Sequence, residues 1–298
     1  MKSFYSNGKV LLTGEYSVLN GSLAIGLPTK MGQDMLVENI LNEKISWLSF
    51  NMNSEKWFEC LFDLKSLNVL GTSDKNISLR LKKILESSRD LNSKFLKTGK
   101  KIITNLDFDY KWGLGTSSTL INNISKWAEI NPYELLKKTF GGSGYDLACA
   151  EANSPILFSL NSGKEKVIPV NFNPILKKNL FFIYQNKKQN TKKSLEEYQN
   201  QNLFDKSTIN RISKISQDLM FTSNINEFRK LIDYHENIMS SVLKIDSINK
   251  KFRDYEGSIK SLGAWGGDFF LAVGPEDSLD YFKKRNYKIG YKYADFIL

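Results

Sequence analysis

Hydrophobic and polar residues alternate in short runs over roughly the first hundred residues, and glycines interrupt these runs. Such a pattern predicts β-strands. The pattern changes over residues 76–96, where Ile, Leu and Phe recur every three or four positions and predict an amphipathic helix. The alternating segments predicted as strands are GKVLLTGEYSVL, SLAIGLPT, QDMLVENI, KISWLSF, KWFECLFDL and, after the helix, KIITNLDFDY.

Helical spacing dominates the next segment of the chain. STLINNISKWAEI reads as a helix, NPYELLKKTFG begins with Asn–Pro and stops at glycine, and a third helix is predicted near Ser143. Strands PILFSL and KVIPV follow. The remainder predicts a strand NLFFIY, helices over about 191–221 and 225–256, a glycine-rich turn in SIKSLGAWGGDFFLAVG, a helix near 277–285 and a last strand YKIGYKYADFIL.

The predicted strands and helices lack the even βαβ rhythm of a doubly wound sheet, which favours an α+β fold in two lobes. The stretch NFNPILKKN reads as a hinge, so we expect an N-terminal lobe over 1–170 and a C-terminal lobe over 171–298.

The composition is that of a folded protein, with 41% hydrophobic and 12% aromatic residues. We expect no membrane association, because no apolar run approaches the roughly 20 residues of a spanning helix. The N-terminus lacks a secretory signal pattern. Cys60 and Cys149 are the only cysteines and lie far apart, which argues against a disulfide framework or a structural zinc site and predicts a cytoplasmic protein.

The net charge of +10 comes mostly from lysines, which occur in scattered pairs and one denser cluster, QNKKQNTKKS. Arginine, which forks onto phosphates and bases, is scarce. This pattern favours a small anionic partner over nucleic acid. A basic nucleic-acid-binding protein is the alternative from another functional class.

Two glycines, Gly113 and Gly115, precede four hydroxyl residues where a helix is predicted to begin. The first amides of a helix lack intrahelical partners and attract anions, while glycine lets the backbone approach a polyphosphate closely. The stretch is neither a Walker A loop nor a full dinucleotide fingerprint. An ordinary helix cap is the alternative interpretation.

Three further stretches carry candidate chemistry. In GGSGYDLACA, Asp146 falls in the first turn of an apolar helix, where the helix dipole stabilises its anion. SLGAWGGDFFLA places glycines before a hydrophobic strand, which is also typical of a tight turn. Lys9 and Glu15 are the two charged residues of GKVLLTGEYSVL and are candidates for a site. The alternative interpretation is that they are an ordinary solvent-facing pair.

The order of these stretches resembles the GHMP kinases, a family named for galactokinase, homoserine kinase, mevalonate kinase and phosphomevalonate kinase. GLGTSSTL is similar to the family's GLGSSAA phosphate loop, GSGYDLA to its GSGxDxA segment and GAWGGDFF to its terminal GAGGGD. EFRKLIDYHENIMSSVLKIDSINK is similar to the family's linking helix, in which His235, the only histidine, is expected to be structural. The resemblance covers most of the chain.

The resemblance implies a two-lobed kinase, with an N-terminal ribosomal-protein-like α/β lobe and a C-terminal ferredoxin-like α/β lobe. It implies ATP and Mg²⁺ as cofactors and a small anionic acceptor as substrate, in a monomer or a homodimer. Asp146 and Lys9 would be catalytic. The ATP phosphates would be bound by Gly113, Leu114, Gly115, Thr116, Ser117 and Ser118, with the Ser117 hydroxyl reaching the metal. The residues expected at the acceptor are Glu15, Ser143, Gly144, Lys188, Thr191, Gly263 and Ala264.

Within the family, GEYSVL and Asp268 favour a phosphomevalonate kinase, with mevalonate kinase next and a homoserine or sugar kinase as further alternatives. The chain also departs from the pattern. Trp265 stands where relatives carry glycine, and Leu262 where they often carry Ser or Thr. Glu134 is one residue away from the position of a magnesium-binding glutamate in mevalonate kinases. The altered final loop, with Trp265 and Leu262, gives some support to a catalytically inactive family member as another alternative, whereas the intact Lys9, Ser117 and Asp146 argue against it.

Overall fold

The computed structural model describes residues 1–161, 163–171, 174–187, 203–263, 265 and 267–298. Contacts between Cα atoms divide the chain into two compact units. Unit 1 comprises Met1–Gly8, Met31–Tyr110 and Leu114–Glu151, and unit 2 comprises Lys9–Lys30, Lys111–Gly113 and Ala152–Leu298. The chain passes between the units several times, and the proposed lobe boundary at residue 170 stays a prediction.

Two long strands each contribute residues to both units. They are β1 (Lys2–Leu11) and β2 (Ala24–Asn39), which pair with each other. The prediction of separate strands in SLAIGLPT and QDMLVENI is wrong, because β2 runs through both. Gly32 does not end the strand. A Cβ there would lie 2.3 Å from the Ser6 carbonyl oxygen, so this glycine permits a close backbone approach.

Unit 1 is built on a mixed sheet. Antiparallel pairing orders β5 (Val69–Thr72), β4 (Lys56–Asp63) and β3 (Lys44–Phe50), and β3 then pairs in parallel with β6 (Lys100–Leu106). Residues 33–39 of β2 complete the order, antiparallel to β6. Burial alternates along β3, as a strand with one packed face requires.

The helices of unit 1 are α1 (Lys75–Leu91), α2 (Thr116–Ala128), α3 (Pro132–Thr139) and α4 (Tyr145–Glu151). Asp74 caps α1 by accepting from two backbone amides. The predicted helix over 76–96 ends early, because Asn92 is extended and its side chain donates to the Ala128 carbonyl. The hydrophobic core of this unit includes Ile45, Trp47, Phe62, Leu85, Ile102 and Ile121.

The N-terminal part of unit 2 contains a short 3-10 helix and a hairpin. The 3-10 helix spans Ser17–Asn20. Strands β7 (Ile156–Asn161) and β8 (Lys164–Pro169) form the hairpin, and β7 pairs with the first residues of β2.

The C-terminal part of unit 2 carries a four-stranded antiparallel sheet. Its elements in chain order are α5 (Pro174–Lys177), β9 (Leu180–Tyr184), α6 (Lys206–Phe221), α7 (Ile225–Leu243), a 3-10 helix Ile248–Lys251, β10 (Ser258–Ser261), β11 (Phe269–Val273), α8 (Ser278–Lys283), β12 (Gly290–Lys292) and α9 (Tyr293–Phe296). The strand order is β10-β11-β9-β12. With the helices between strands, this is the βαββαβ order of a ferredoxin-like unit.

The central strands β9 and β11 are buried at every position, as expected for strands covered on both faces. Two predictions in this region are wrong in extent. The helix predicted over 225–256 ends at Leu243, where Lys244 takes a left-handed conformation. Of the last predicted strand, YKIGYKYADFIL, only β12 is a strand, and the residues that follow it form α9. Of the helix predicted over 191–221, residues 191–202 lie outside the described residues.

Candidate active site

The predicted phosphate loop ends at the first turn of α2. Gly115 caps this helix with a φ of 91°, and Gly113 has a φ of 69°, so both take conformations that favour glycine. Among the described residues, no side chain caps the helix and its first turn holds no acidic residue. The leading amides of α2 are therefore available to an anion, which the helix dipole also favours.

The four hydroxyl residues of the loop divide into two kinds. Ser118 and Thr119 are buried and serve the protein itself. The Ser118 hydroxyl donates to the Gly115 carbonyl at 2.8 Å, and the Thr119 hydroxyl donates to Gln33 Oε1 at 2.8 Å. Ser117 is exposed and Thr116 is half-buried. The hydroxyl predicted to reach a metal thus belongs to the exposed member of the run.

Buried side-chain hydrogen bonds hold the first half of α2 against the strands of unit 1. Asn123 is fully buried, and its Nδ2 donates to the Gln33 carbonyl at 2.9 Å. The Ser6 hydroxyl donates to Asn123 Oδ1 at 2.7 Å. A polar side chain in the middle of a helix usually faces water. Here Asn123 instead fixes the position of the helix start, which a preorganised anion site requires.

Asp146 lies in the first turn of α4 and is half-buried. Gly144 precedes it with a φ of 81°, and the Ser143 hydroxyl accepts from the Tyr145 amide at 3.2 Å. Helix α4 packs against α2 within unit 1. The structure therefore places the predicted catalytic carboxylate on a helix packed against the one that begins at the loop.

Lys9 and Glu15 are both buried in unit 2, with 7% and 2% of their surfaces exposed. The alternative interpretation of these residues as a solvent-facing pair is therefore wrong. Glu15 Oε1 lies 2.5 Å from Lys260 Nζ, and both side chains are almost completely inaccessible to water. A carboxylate and an ammonium group buried together indicate a specific structural or functional role.

Glu15 belongs to a larger buried cluster, the Glu15 network, composed of Glu15, His235, Glu236, Lys260 and Ser261. His235 Nε2 accepts from the Gly14 amide at 3.4 Å and lies 3.7 Å from Glu15 Oε2. Glu236 accepts from the amide and the hydroxyl of Ser261 at 2.9 and 3.1 Å. Lys260 Nζ also donates to the Ser261 carbonyl at 2.8 Å.

Burial decides the protonation of this network. Loss of hydration raises the pKa of Glu15 to about 7, although Lys260 opposes the shift, and burial also raises the pKa of Glu236. The pKa of His235 lies well below its usual value, because burial and the charge of Lys260 both disfavour the imidazolium. His235 is therefore neutral near pH 7.

The glycine-rich turn of unit 2 brings Asp268 against Gly113. A Cβ added to Gly113 would lie 2.3 Å from Asp268 Oδ2. Asp268 is buried with a φ of 56°, and its amide donates to the Lys187 carbonyl at 2.7 Å. The glycine at position 113 thus suits both this close approach of the Asp268 side chain and its own left-handed backbone angle.

The two departures from the family pattern are both buried. Trp265 has no exposed surface and a φ of 51°, while Leu262 is 1% exposed. The Leu262 amide donates to the Phe269 carbonyl at 3.1 Å and extends the pairing of β10 with β11. Glu134 is exposed in the first turn of α3, one residue from the family's acidic position.

The predicted site residues fall into three groups. Unit 1 holds Leu114, Gly115, Thr116, Ser117, Ser118, Ser143, Gly144 and Asp146, and unit 2 holds Lys9, Glu15, Gly113 and Gly263. Lys188, Thr191 and Ala264 lie outside the described residues. The functional roles of all these residues stay predictions.

Lys260 and Glu236 are not among the residues that the sequence predicts for the site. In SIKSLGAW, Lys260 lies between the two serines of a short strand before a glycine-rich turn, and nothing in that stretch separates it from the many other lysines. Glu236 carries no signal either. It follows His235 in a helix rich in charged residues, and only the fold shows which of those charges is buried.

Within the described ranges, no three His, Cys, Asp or Glu side chains gather closely enough to hold a metal ion by themselves. The helices that the structure describes include none long and apolar enough to cross a membrane. The cytoplasmic location and the choice between monomer and homodimer stay predictions.

Solved structures of several kinases share this architecture. The chain is similar to phosphomevalonate kinase from Streptococcus pneumoniae, solved in complex with phosphomevalonate and AMPPNP, with a TM-score of 0.72, 14% identity and coverage of 100% and 98% of the two chains. It is also similar to mevalonate kinase from Methanococcus jannaschii, with a TM-score of 0.71, 18% identity and coverage of 97% and 96%.

A third similar structure is galactokinase from Lactococcus lactis complexed with galactose, with a TM-score of 0.68, 15% identity and coverage of 97% and 92%. No family model and no curated protein sequence matches the chain. The chain therefore has the fold of the GHMP kinases, as its motifs predicted, and the details of the two predicted lobes stay a prediction.

Proposed function

We propose that this protein is an ATP-dependent small-molecule kinase that transfers the γ-phosphoryl group of ATP to phosphomevalonate or mevalonate. The observation that carries the proposal is the start of α2, where two left-handed glycines lead into uncapped amides within a kinase fold. This element suits a polyphosphate.

Phosphoryl transfer needs positioning and charge stabilisation more than covalent chemistry by the protein. The backbone amides of Gly115, Thr116 and Ser117 would bind the ATP phosphates, because helical pairing leaves them without carbonyl partners. Asn123 and Thr119 would keep this cradle rigid through their bonds to Gln33. A rigid cradle needs no reorganisation when charge develops.

Asp146 and Lys9 would act at the acceptor. If the acceptor is an alcohol, Asp146 would take the hydroxyl proton, and Lys9 would lower the pKa of that hydroxyl and offset charge on the transferred group. If the acceptor is already a phosphate, it needs no deprotonation. Asp146 would then orient Lys9, and the reaction would depend on it less.

Magnesium, when bound, would neutralise phosphate charge, and the exposed Ser117 hydroxyl is the side chain we assign to hold it. The donor is suitable, since magnesium favours oxygen ligands and is commonly held by few protein groups together with substrate phosphates. Glu134, being exposed and off the family position, is not assigned to the metal.

The motif GEYSVL and Asp268 support phosphomevalonate as the first acceptor, with mevalonate second. Similarity to a galactokinase complexed with galactose keeps a sugar as an alternative, and homoserine is a further one. The basic composition suits any anionic acceptor, which a positive surface would steer toward the protein.

The test is an ATP-consumption assay with magnesium against phosphomevalonate, mevalonate, homoserine and galactose, with the phosphorylated product identified by mass. We expect turnover on phosphomevalonate or mevalonate. Turnover only on homoserine or galactose would keep the kinase and reject the acceptor. Absence of turnover and of ATP binding would reject the kinase, and salt-sensitive heparin retention would then favour the nucleic-acid alternative.

A further inference from the structure

The turn that carries Glu15 holds strained backbone in a buried place. Tyr16 has a φ of 59° and a ψ of −48°, outside the regions that L-residues ordinarily occupy. The preceding Gly14 has a φ of 80°, and a Cβ there would lie 2.4 Å from Ala24 Cβ. Such backbone persists only where the surroundings enforce it, and it concentrates at functional sites.

The Glu15 network supplies that enforcement. Lys260 Nζ holds the Glu15 carboxylate at 2.5 Å, and His235 Nε2 accepts from the Gly14 amide at 3.4 Å. Because Lys260 also donates to the Ser261 carbonyl at 2.8 Å, a single ammonium group joins the Gly14–Tyr16 turn to the strand that enters the glycine-rich turn. Glu236 then fixes Ser261 through the Ser261 amide and hydroxyl.

The geometry points to Lys260 as a positioning residue that locks the turn bearing Glu15 to the turn beginning at Gly263, so that the two acceptor-binding segments of unit 2 are preorganised together. Glu15 then acts through Lys260 and not by touching the acceptor. Its side chain is 1% exposed, and one of its oxygens is already occupied by the ammonium group. This inference rests on the proposed function, because the segments around Glu15 and Gly263 are expected at an acceptor only if the protein is a kinase of the kind that its motifs resemble.

The other charges around Lys260 agree with this assignment. Its ammonium group faces the carboxylates of Glu15 and Glu236, while His235 is neutral. In the described part of the chain, Glu15 Oε2 and His235 Nδ1 lack hydrogen-bond partners. A network built only for stability would leave few buried polar atoms unsatisfied. This one retains two beside a strained turn.

The experiment compares Lys260→Met with the double variant Glu15→Leu/Lys260→Met in the acceptor assay. Removing one partner leaves a buried charge unpaired, whereas replacing both with apolar residues of similar size restores much of the stability. We expect Lys260→Met to lower the melting temperature and to raise the acceptor KM at least about tenfold, with the KM for ATP changed less than about twofold.

The double variant separates positioning from stability. We expect its melting temperature to recover to near the wild-type value while its acceptor KM stays raised. Recovery of both quantities would show that the pair serves stability alone and would overturn the inference, as would an unchanged acceptor KM in Lys260→Met. Lys250→Met is the matched control, because Lys250 forms an exposed pair with Asp246 at 2.6 Å and should change neither quantity.

Hydrogen exchange distinguishes failure of this inference from failure of the kinase assignment. The amides of Ser17 and Val18 donate to the Glu15 and Gly14 carbonyls at 2.6 and 3.0 Å. In the double variant we expect these amides to exchange at least about tenfold faster than in the wild type, with core amides of β9 unchanged. This result would support positioning even if no acceptor is phosphorylated, and unchanged exchange would overturn it.

Discussion

The start of α2 and the Glu15 network both combine glycines with polar side chains, yet they use those polar groups in opposite ways. At the start of α2 the buried hydroxyls of Ser118 and Thr119 bond within the protein, which leaves Ser117 exposed and the leading amides uncapped. In the Glu15 network nearly every charge faces another buried polar group. On the roles proposed above, the start of α2 keeps donors for a ligand, and the Glu15 network uses its charges to hold the backbone of two turns.

This difference shows why a motif residue need not be a contact residue. Glu15 and Ser117 both lie in stretches that resemble kinase motifs, but Glu15 is 2% exposed whereas Ser117 is exposed. Burying a charge is unfavourable unless it is paired, so the pairing of Glu15 with Lys260 is itself a specific feature. The variants below therefore test which motif residues act on a ligand and which of them hold the fold.

The largest effect is expected from Asp146→Asn, which removes the half-buried carboxylate that the proposed function places at the acceptor. If the acceptor is an alcohol, loss of the general base should lower kcat by about 10²-fold or more. The free energy of unfolding should change little, as the two side chains are nearly the same size. A fall in kcat of only a few fold would indicate a phosphate acceptor or a different base.

The second prediction compares Gly113→Ala with Gly141→Ala. Both glycines have a φ near 68°, but a Cβ on Gly113 would lie 2.3 Å from Asp268 Oδ2, whereas a Cβ on Gly141 would meet nothing within 4 Å. We expect Gly113→Ala to lose about 2–3 kcal/mol of stability and Gly141→Ala about 1 kcal/mol. Urea denaturation of both variants measures the difference. Equal losses would mean that Asp268 moves aside without cost.

The third prediction concerns the pH dependence of stability. Because the folded-state pKa of Glu15 is raised from 4.5 to about 7, the folded protein binds its proton more tightly than the unfolded chain. The stabilisation from that proton is fully present below pH 4.5 and is lost as pH rises toward 7. Glu15→Gln cannot titrate, so the wild type should lose on the order of 2 kcal/mol relative to it between pH 5 and 7.

Denaturation at several pH values measures this difference between the wild type and Glu15→Gln. The variant keeps an oxygen that can accept from Lys260, so the comparison isolates the proton from the hydrogen bond. Glu236, whose pKa is also raised, titrates in both proteins, so only its repulsion with the Glu15 charge differs between them. Parallel pH profiles would show that Glu15 stays ionised throughout this range.

Local sequence patterns predicted most elements of the fold, because the alternating or helical spacing of hydrophobic residues indicates which face of an element is buried. The strand over β3 and the helix over α1 follow from their own residues. The continuity of β2 does not follow from its own residues, because a glycine such as Gly32 is typical of a break in a strand. The structure shows another reason for this glycine, since a Cβ on Gly32 would lie 2.3 Å from the Ser6 carbonyl oxygen in β1. Contacts between distant segments decided that case.

The same limit applies to the site. The start of α2 was predictable, as its glycines, hydroxyls and helix lie within a few residues of one another. The Glu15 network was not, because Glu15 and Lys260 are 245 positions apart and pair only through the fold. A sequence in which many lysines are solvated gives no means of choosing the one that is buried.

The smallest effects are expected from Ser117→Ala and Thr119→Val. These variants compare an exposed hydroxyl with a buried one in the first turn of α2. Thr119→Val removes a buried bond of 2.8 Å to Gln33 and should cost about 1 kcal/mol or slightly more of stability. Ser117→Ala removes an exposed hydroxyl and should change stability by less than about 0.5 kcal/mol. In activity the order should reverse, with the larger rise in the magnesium concentration needed for half-maximal turnover in Ser117→Ala. If Ser117→Ala leaves that magnesium concentration unchanged, other groups hold the metal and the Ser117 hydroxyl has no role in binding it.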